Sequence, residues 1–140
     1  RQLGIGIHLY TQAHEGLKEA YFYLGIAYDK MGERKEAKKQ LKKVLDLAPV
    51  NHEALNYLGF MYAEDSENLD EAVLMIKKAL EFEPASGAYL DSLGWAYFKK
   101  GMLKEALINL EKARGLDADP EIAKHLKTIQ EKVKNDKARH

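Results

Sequence analysis

The sequence predicts an all-α protein, an α-solenoid of three helical hairpins, from three observations. A Leu-Gly-x-x-Tyr motif occurs three times, with its glycines at positions 25, 59 and 94. The apolar residues of each motif recur at helical spacing and not with the alternation of a strand. A short polar or glycine-containing break divides each period, which gives two helices per unit. One hairpin cannot bury both of its apolar faces, so the units are expected to stack on their neighbours.

The repeat period is set by residues on both helices of a unit. The motif glycines are 34 and then 35 residues apart. Small residues follow in phase, namely Ala37, Ala72 and Ala106, and Pro49 and Pro84 close the first two units. A fixed period of this length is typical of repeat proteins, in which each period is one supersecondary unit. The extra residue of the middle unit is expected in its turn, residues 64–68.

The motif glycines require a compensating gain in stability, because glycine inside a helix costs about 0.5–1 kcal/mol relative to alanine. Gly25, Gly59 and Gly94 occupy equivalent positions of the first helix of each unit. Without a Cβ, each lets the second helix of its hairpin come close. The sequence therefore predicts close helix contacts at these three positions.

The two ends of the chain extend the pattern. Asp119 and Pro120 form an N-cap followed by a first-turn proline, and apolar residues then recur at helical spacing on one face only. A helix with a polar outer face is what the end of a solenoid requires. Leu3, Ile7 and Tyr10 fit the second helix of a preceding unit. The predicted division is 1–17 as a half-repeat, 18–51, 52–86 and 87–120 as three complete units, 121–136 as a capping helix and 137–140 as a tail.

The recurring pattern resembles the tetratricopeptide repeat, a helix-turn-helix unit of about 34 residues. The residues that carry this resemblance are Leu24, Gly25, Tyr28, Ala37, Pro49, Leu58, Gly59, Tyr62, Ala72, Pro84, Leu93, Gly94, Tyr97 and Ala106. Residues 55–97 are also similar to the final repeats of large bacterial tetratricopeptide proteins associated with the cell envelope.

The resemblance implies a concave groove, lined by the first helix of each unit, that holds peptide segments of other proteins. The residues expected to line it are Phe22, Ile26, Asn56, Phe60, Asp91, Trp95 and Phe98. The alternative is that these large side chains pack against the neighbouring repeat, and for Phe22 and Ile26 both interpretations stay open. We expect at least partial exposure of Phe60, Trp95 and Phe98, because other apolar residues already occupy the core-facing side of their helices.

One family variant grips the C-terminal carboxylate of heat-shock chaperones with cationic and amide side chains on three successive first helices. The corresponding residues of this sequence carry no positive charge: Phe22, Ile26, Tyr57, Ala88 and Ser92. Binding of chaperone tails is therefore not expected.

Composition excludes several other classes of function. Lys+Arg and Asp+Glu number 22 each, so the chain lacks the basic excess of a dedicated nucleic-acid binder. It has no cysteine, which excludes disulfides, thiolate metal sites and cysteine nucleophiles. No apolar stretch approaches the length that spans a bilayer, so we expect no direct membrane insertion. No nucleophile with a base, metal-ligand cluster or phosphate-binding glycine loop is present, which predicts a protein without catalysis, cofactor or metal. His125 and the other four histidines are expected in surface or capping roles.

These observations predict a non-catalytic adaptor or assembly scaffold that binds a protein or peptide in its groove. Two alternatives stay open: a homo-oligomerisation module that uses an exposed repeat end, and a recruiting segment of a larger enzyme. The chain opens with Arg1, from which we expect a longer parent. The similarity of residues 55–97 to envelope-associated repeat proteins favours a location in the bacterial cell envelope. There the protein would face the periplasm or be associated with the membrane through a missing N-terminal part.

Overall fold

The computed structural model confirms the all-α prediction. It describes the backbone of residues 2–139, and the side chains of these residues except at positions 2–5, 7, 10 and 11. Its described residues form seven helices and no strand: α1 (Gln2–Lys30), α2 (Arg34–Leu47), α3 (His52–Glu64), α4 (Leu69–Phe82), α5 (Gly87–Lys99), α6 (Leu103–Leu116) and α7 (Pro120–Ala138). The chain divides into two compact units, Arg1–Ala54 and Leu55–His140.

In the first unit, α1 packs against α2. A Cβ added to Gly25 would stand 3.0 Å from Cγ of Leu41, which is tighter than ordinary van der Waals contact. Ala37, Leu41 and Val44 of α2 are fully buried. The predicted close approach of the two helices at the first motif glycine is therefore confirmed.

The second unit repeats the same contact twice. A Cβ on Gly59 would lie 2.8 Å from Cγ1 of Ile76, and one on Gly94 would collide with Leu110. Helix α5 packs against α4, α6 and α7, and α7 also packs against α6. The capping helix contributes Ile122 and Ile129 to the core. Extra neighbours around α5 thus give this unit its main hydrophobic core.

The turns inside the hairpins differ as the period predicts. Residues 31–33 join α1 to α2 and residues 100–102 join α5 to α6, whereas residues 65–68 join α3 to α4. The two short turns use Gly32 and Gly101 at φ 81°. The longer turn places Ser66 at φ 54° and Asn68 at φ 45°, both in the left-handed region. The extra residue of the middle repeat lies in this turn, as expected.

The helix bounds differ from two of the predicted boundaries. Helix α1 runs from Gln2 to Lys30, without a break near residue 17. Gly16 keeps a helical backbone, whereas the turn glycines Gly32 and Gly101 take positive φ, so the chain does not turn before residue 18. The side chains of Leu3, Ile7 and Tyr10, on which that half-repeat was predicted, lie outside the described residues.

The last helix also differs slightly from the prediction. It extends to Ala138, so the predicted tail at 137–140 is partly helical. Asp119 caps its start, because the Asp119 side chain accepts a hydrogen bond from the Glu121 amide at 2.9 Å. Pro120 takes the first helical position, as expected. Along the described part of the chain, no helix combines the length and apolar character needed to cross a bilayer.

Candidate functional site

Three aromatic side chains that were predicted to line the groove lie on α3 and α5 of the second unit. Trp95 and Phe98 pack with ring centroids 4.9 Å apart at 33°. Phe60, Trp95 and Phe98 are each half-buried, which matches the partial exposure expected of them. Lys99 places its Nζ 5.7 Å from the centroid of the Trp95 ring, within cation–π range. These residues form an aromatic surface with a positive charge at its edge.

The capping helix adds a residue to this surface that the sequence reasoning missed. The imidazole of His125 stacks on Trp95 with centroids 4.2 Å apart and rings at 25°. It also lies 6.1 Å from the centroid of Phe60. We define the aromatic cluster as Phe60, Trp95, Phe98 and His125. Helix α7 therefore takes part in the site as well as covering the end of the repeat.

A sequence signal for His125 did exist. His125 follows Asp91 by 34 residues, one repeat period, and Asp91 follows Asn56 by 35. Extending the period into α7 puts His125 in phase with the two predicted polar groove residues. The sequence analysis predicts only a surface or capping role for His125, because the Leu-Gly-x-x-Tyr motif ends with the third repeat.

Asp91 was predicted to line the groove, but its carboxylate is paired with a side chain of α7. Its side chain is buried, and Oδ1 lies 2.8 Å from Nδ1 of His125. A carboxylate only accepts, so Nδ1 of His125 carries the hydrogen and donates it. This contact fixes the plane of the imidazole against Trp95. Asp91 thus positions a residue of the cluster.

Asn56 lies one helical turn before Phe60 and carries an unsatisfied group. Its Oδ1 is buried and has no hydrogen-bond partner in the described part of the chain. A buried polar atom without a partner costs about 1–3 kcal/mol. By contrast, Ser92 donates to the carbonyl of Ala88 at 3.1 Å, which fits a small packing residue in mid-helix.

The predicted residues of the first unit lie on α1. Phe22 and Ile26 are half-buried, and Phe22 meets Tyr23 edge to face at 5.9 Å. A polar pocket of about 240 Å³ lies beside them, lined by Lys18, Glu19, Phe22, Tyr23, Asn51 and Glu53.

An ion pair precedes this pocket along α1. Lys18 donates to Glu15 at 2.7 Å, and this hydrogen bond together with the lysine charge lowers the pKa of Glu15 below its ordinary value. Across the described residues, no group of three or more His, Asp or Glu is arranged to hold a metal ion.

Comparison with known families agrees with the repeat pattern. Residues 18–49 and residues 88–120 each match a family model described as tetratricopeptide repeat. The chain belongs to the tetratricopeptide-repeat family. It is 34% identical over 118 residues to the TPR repeat-containing protein PA4667 of Pseudomonas aeruginosa, covering 80% of this chain and 20% of that protein. The chain thus spans about one fifth of this relative's length.

Solved tetratricopeptide structures show the same fold. The first TPR of Spaghetti (RPAP3), bound to the HSP90 peptide SRMEEVD, matches 84% of this chain and 94% of its own at a TM-score of 0.74 and 20% identity. A mutant O-GlcNAc transferase of Thermobaculum terrenum matches at a TM-score of 0.77 and 22% identity, over 83% of this chain and 22% of its own.

Proposed function

We propose that this tetratricopeptide chain is a non-catalytic interaction scaffold that binds an extended peptide segment of a partner protein on the aromatic cluster. The observation that carries the proposal is the stacking of His125 on Trp95 beside Phe60 and Phe98, with all four rings half-buried. Aromatic rings supply large contact area, and these four rings are already held in place by their neighbours. Binding then costs little ordering of the surface.

The chemistry of the bound segment follows from the groups around the cluster. An apolar or aromatic side chain of the partner would cover the rings, because aromatic anchors carry most of the affinity in such interfaces. In the neutral imidazole, Nε2 of His125 is left as an acceptor, since Nδ1 donates to Asp91. We therefore expect a backbone N–H group of the segment to donate to this atom.

The peptide-bound Spaghetti structure supports a peptide ligand for this fold, but the chemistry here differs from a grip on an acidic tail. The positions that would supply cations to such a tail are occupied by neutral residues, including Phe22, Tyr57 and Ser92. Phe22 and Ile26 remain predicted lining residues of the first unit. We infer that apolar contact, more than charge, selects the partner.

The test is a selection of displayed peptides on the wild-type chain, followed by calorimetric binding of the enriched sequences. Peptides that use the cluster should lose at least tenfold in affinity for a Phe60→Ala/Trp95→Ala variant. A Leu74→Ala/Ile108→Ala variant is the matched control, because both residues are exposed apolar side chains of α4 and α6 outside the cluster. Both variants are first checked for wild-type helicity. Equal affinity for all three chains, or no enrichment on the wild type over the control surface, contradicts the proposal.

The envelope address expected from the weaker resemblance stays a prediction. Fractionation of cells that express the natural protein, with the bacterial envelope separated from the cytosol, would check it.

A further inference from the structure

The imidazole of His125 has one nitrogen bonded to α5 and one that is open. Nδ1 lies 2.8 Å from Oδ1 of Asp91, and within the described residues His125 forms no other hydrogen bond or ion pair. The buried side-chain atoms that lack a partner there are Oε1 of Gln40 and Oδ1 of Asn56. Nε2 of His125 has no partner either, yet it is not one of these buried atoms. It is therefore reached by solvent and can be reached by a ligand.

The contact with Asp91 decides which nitrogen of the ring can change its state. Both side chains are mostly buried, with 15% of His125 and 12% of Asp91 exposed. Because the carboxylate only accepts, the hydrogen of the neutral ring stays on Nδ1. A proton taken up from solvent then binds Nε2. This open nitrogen is an acceptor in the neutral ring and a donor in the protonated ring.

The charged side chains on the faces of α5 and α7 around His125 are few. They are Asp91 and Lys99 on α5, and Glu121 and Lys132 on the same side of α7 as His125. Helix α3 presents the uncharged ring of Phe60, 6.1 Å away, and α6 packs against α7 through apolar core residues. Lys132 pairs with Asp136, and the Nζ of Lys99 lies 5.7 Å from the centroid of Trp95. Within the described residues, Asp91 alone pairs with the imidazole.

We propose that pH controls peptide binding at the aromatic cluster through His125, so that the segment is held while Nε2 is unprotonated and released when Nε2 takes up a proton. This inference rests on the proposed function, in which a backbone N–H of the segment donates to the neutral Nε2. Protonation sets a hydrogen against that N–H, and the hydrogen bond is lost. Histidine side chains change charge between about pH 5 and pH 8, which is the range of the expected response.

The same proton leaves the fold in place. Nδ1 keeps its hydrogen in both states, and in the protonated ring its hydrogen bond to Asp91 becomes an ion pair as well. Stacking on Trp95 also persists, because the face of an indole ring attracts a cation. Acid therefore changes what the aromatic cluster binds without detaching α7 from α5. Asp91 acts here as a positioning residue, since it keeps the hydrogen on Nδ1.

Nitrogen NMR of the imidazole tests the tautomer in the chain without a ligand. At about pH 8 His125 should carry its hydrogen on Nδ1, and at about pH 5.5 Nε2 should be protonated while the helical circular dichroism is unchanged. Asp91→Asn should move part of the hydrogen to Nε2 at the higher pH, because an amide can donate as well as accept. A wild-type ring with its hydrogen on Nε2 at the higher pH, or helices lost at the lower one, overturns the proposal.

Calorimetric titration with the selected peptides tests the control of binding. The peptides are chosen without His, Asp or Glu and have blocked termini, so that the protein alone titrates in this range. Affinity should fall at least about fivefold from about pH 8 to about pH 5.5. Titrations in two buffers of different ionisation enthalpy should show that binding releases protons.

Two histidine variants assign the response to one residue. His125→Gln should bind equally at both pH values, since its amide keeps a donor for Asp91 and gains no charge. His14→Gln is the matched control, because His14 belongs to α1 and lies outside the aromatic cluster, and it should keep the full response. A response that persists in His125→Gln overturns the proposal, because another group then causes it.

The outcomes separate this inference from the proposed function. Peptides that require Phe60 and Trp95 but bind the wild-type chain equally at both pH values overturn the pH control and leave the peptide site standing. Absence of peptide binding at the aromatic cluster at either pH overturns both.

Discussion

Helices α1 and α5 carry the same Leu-Gly-x-x-Tyr motif but bury it to different extents. Leu24 of α1 is 44% exposed, whereas Leu93 of α5 is 5% exposed. Both helices make the same close contact at the motif glycine with the second helix of their hairpin. Helix α5 has α4 and α7 against it as well, while α1 packs against α2 within its unit. The motif specifies the hairpin, and the neighbours of the hairpin decide how much of the motif becomes core.

The largest expected effect contrasts the two motif leucines. Leu93→Ala should lower the free energy of unfolding by about 2–5 kcal/mol, because it leaves a cavity in the main core. Leu24→Ala should lower it by about 1 kcal/mol or less, because the side chain is half in solvent. Urea unfolding followed by circular dichroism measures both. Equal losses would mean that α1 is as enclosed as α5, against the exposure seen here.

Two glycines sharpen the same contrast. Gly94→Ala should destabilise the chain by about 1–3 kcal/mol, since its Cβ would collide with Leu110 and stand 3.1 Å from the Ala106 carbonyl oxygen. Gly16→Ala should stabilise it by about 0.5–1 kcal/mol, because Gly16 is helical and has no atom near the new Cβ. Thermal melting of the two variants gives opposite signs if this is right. A stabilised Gly94→Ala chain would show that the helices have room to separate.

The contact between α7 and α5 is the next test. His125→Ala should cost about 1–3 kcal/mol, because it removes the stacked ring and leaves the buried Asp91 carboxylate without its partner. Asp91→Asn/His125→Ala should cost less than the sum of the two single changes, since both remove the same hydrogen bond. A double-mutant cycle by urea unfolding measures the coupling. Strictly additive losses would mean that the two residues do not stabilise each other.

The smallest expected effect lies on the solvent face of α1. The hydrogen bond and charge of Lys18 lower the pKa of Glu15, so the stabilising contribution is present above the ordinary pKa of glutamate and is lost as the pH falls through the lowered value. An NMR titration of the Glu15 carboxyl should show its pKa rise in Lys18→Met. An unchanged titration curve would mean that the ion pair does not persist in solution.

Much of the fold could be predicted from the sequence because the same motif recurs in each unit. Three in-phase motifs predicted the hairpins, and the 35-residue spacing predicted the longer turn that holds Ser66 and Asn68. The start of the chain differs from the predicted half-repeat, because α1 runs without a break from Gln2 to Lys30. The apolar spacing of Leu3, Ile7 and Tyr10 predicts a helix but does not tell whether that helix continues into the next one.

The candidate site was less predictable. Phe60, Trp95 and Phe98 were expected at least partly exposed, and their half-buried state agrees. The stacking of His125 on Trp95 was not foreseen, because it depends on how α7 packs against α5. Asp91 was expected to face a ligand and instead bonds His125. Its role depends on a partner 34 residues away in the chain.

The sequence by itself determined the helices, their pairing and the family, since these follow from local spacing and from residues that recur in every unit. Tertiary structure decided which copies of a motif are buried and which stay at the surface. The physical reason is that the burial of a side chain depends on which other helices pack against it. Leu24 and Leu93 are the same residue in the same motif, and their exposure differs because different helices surround them.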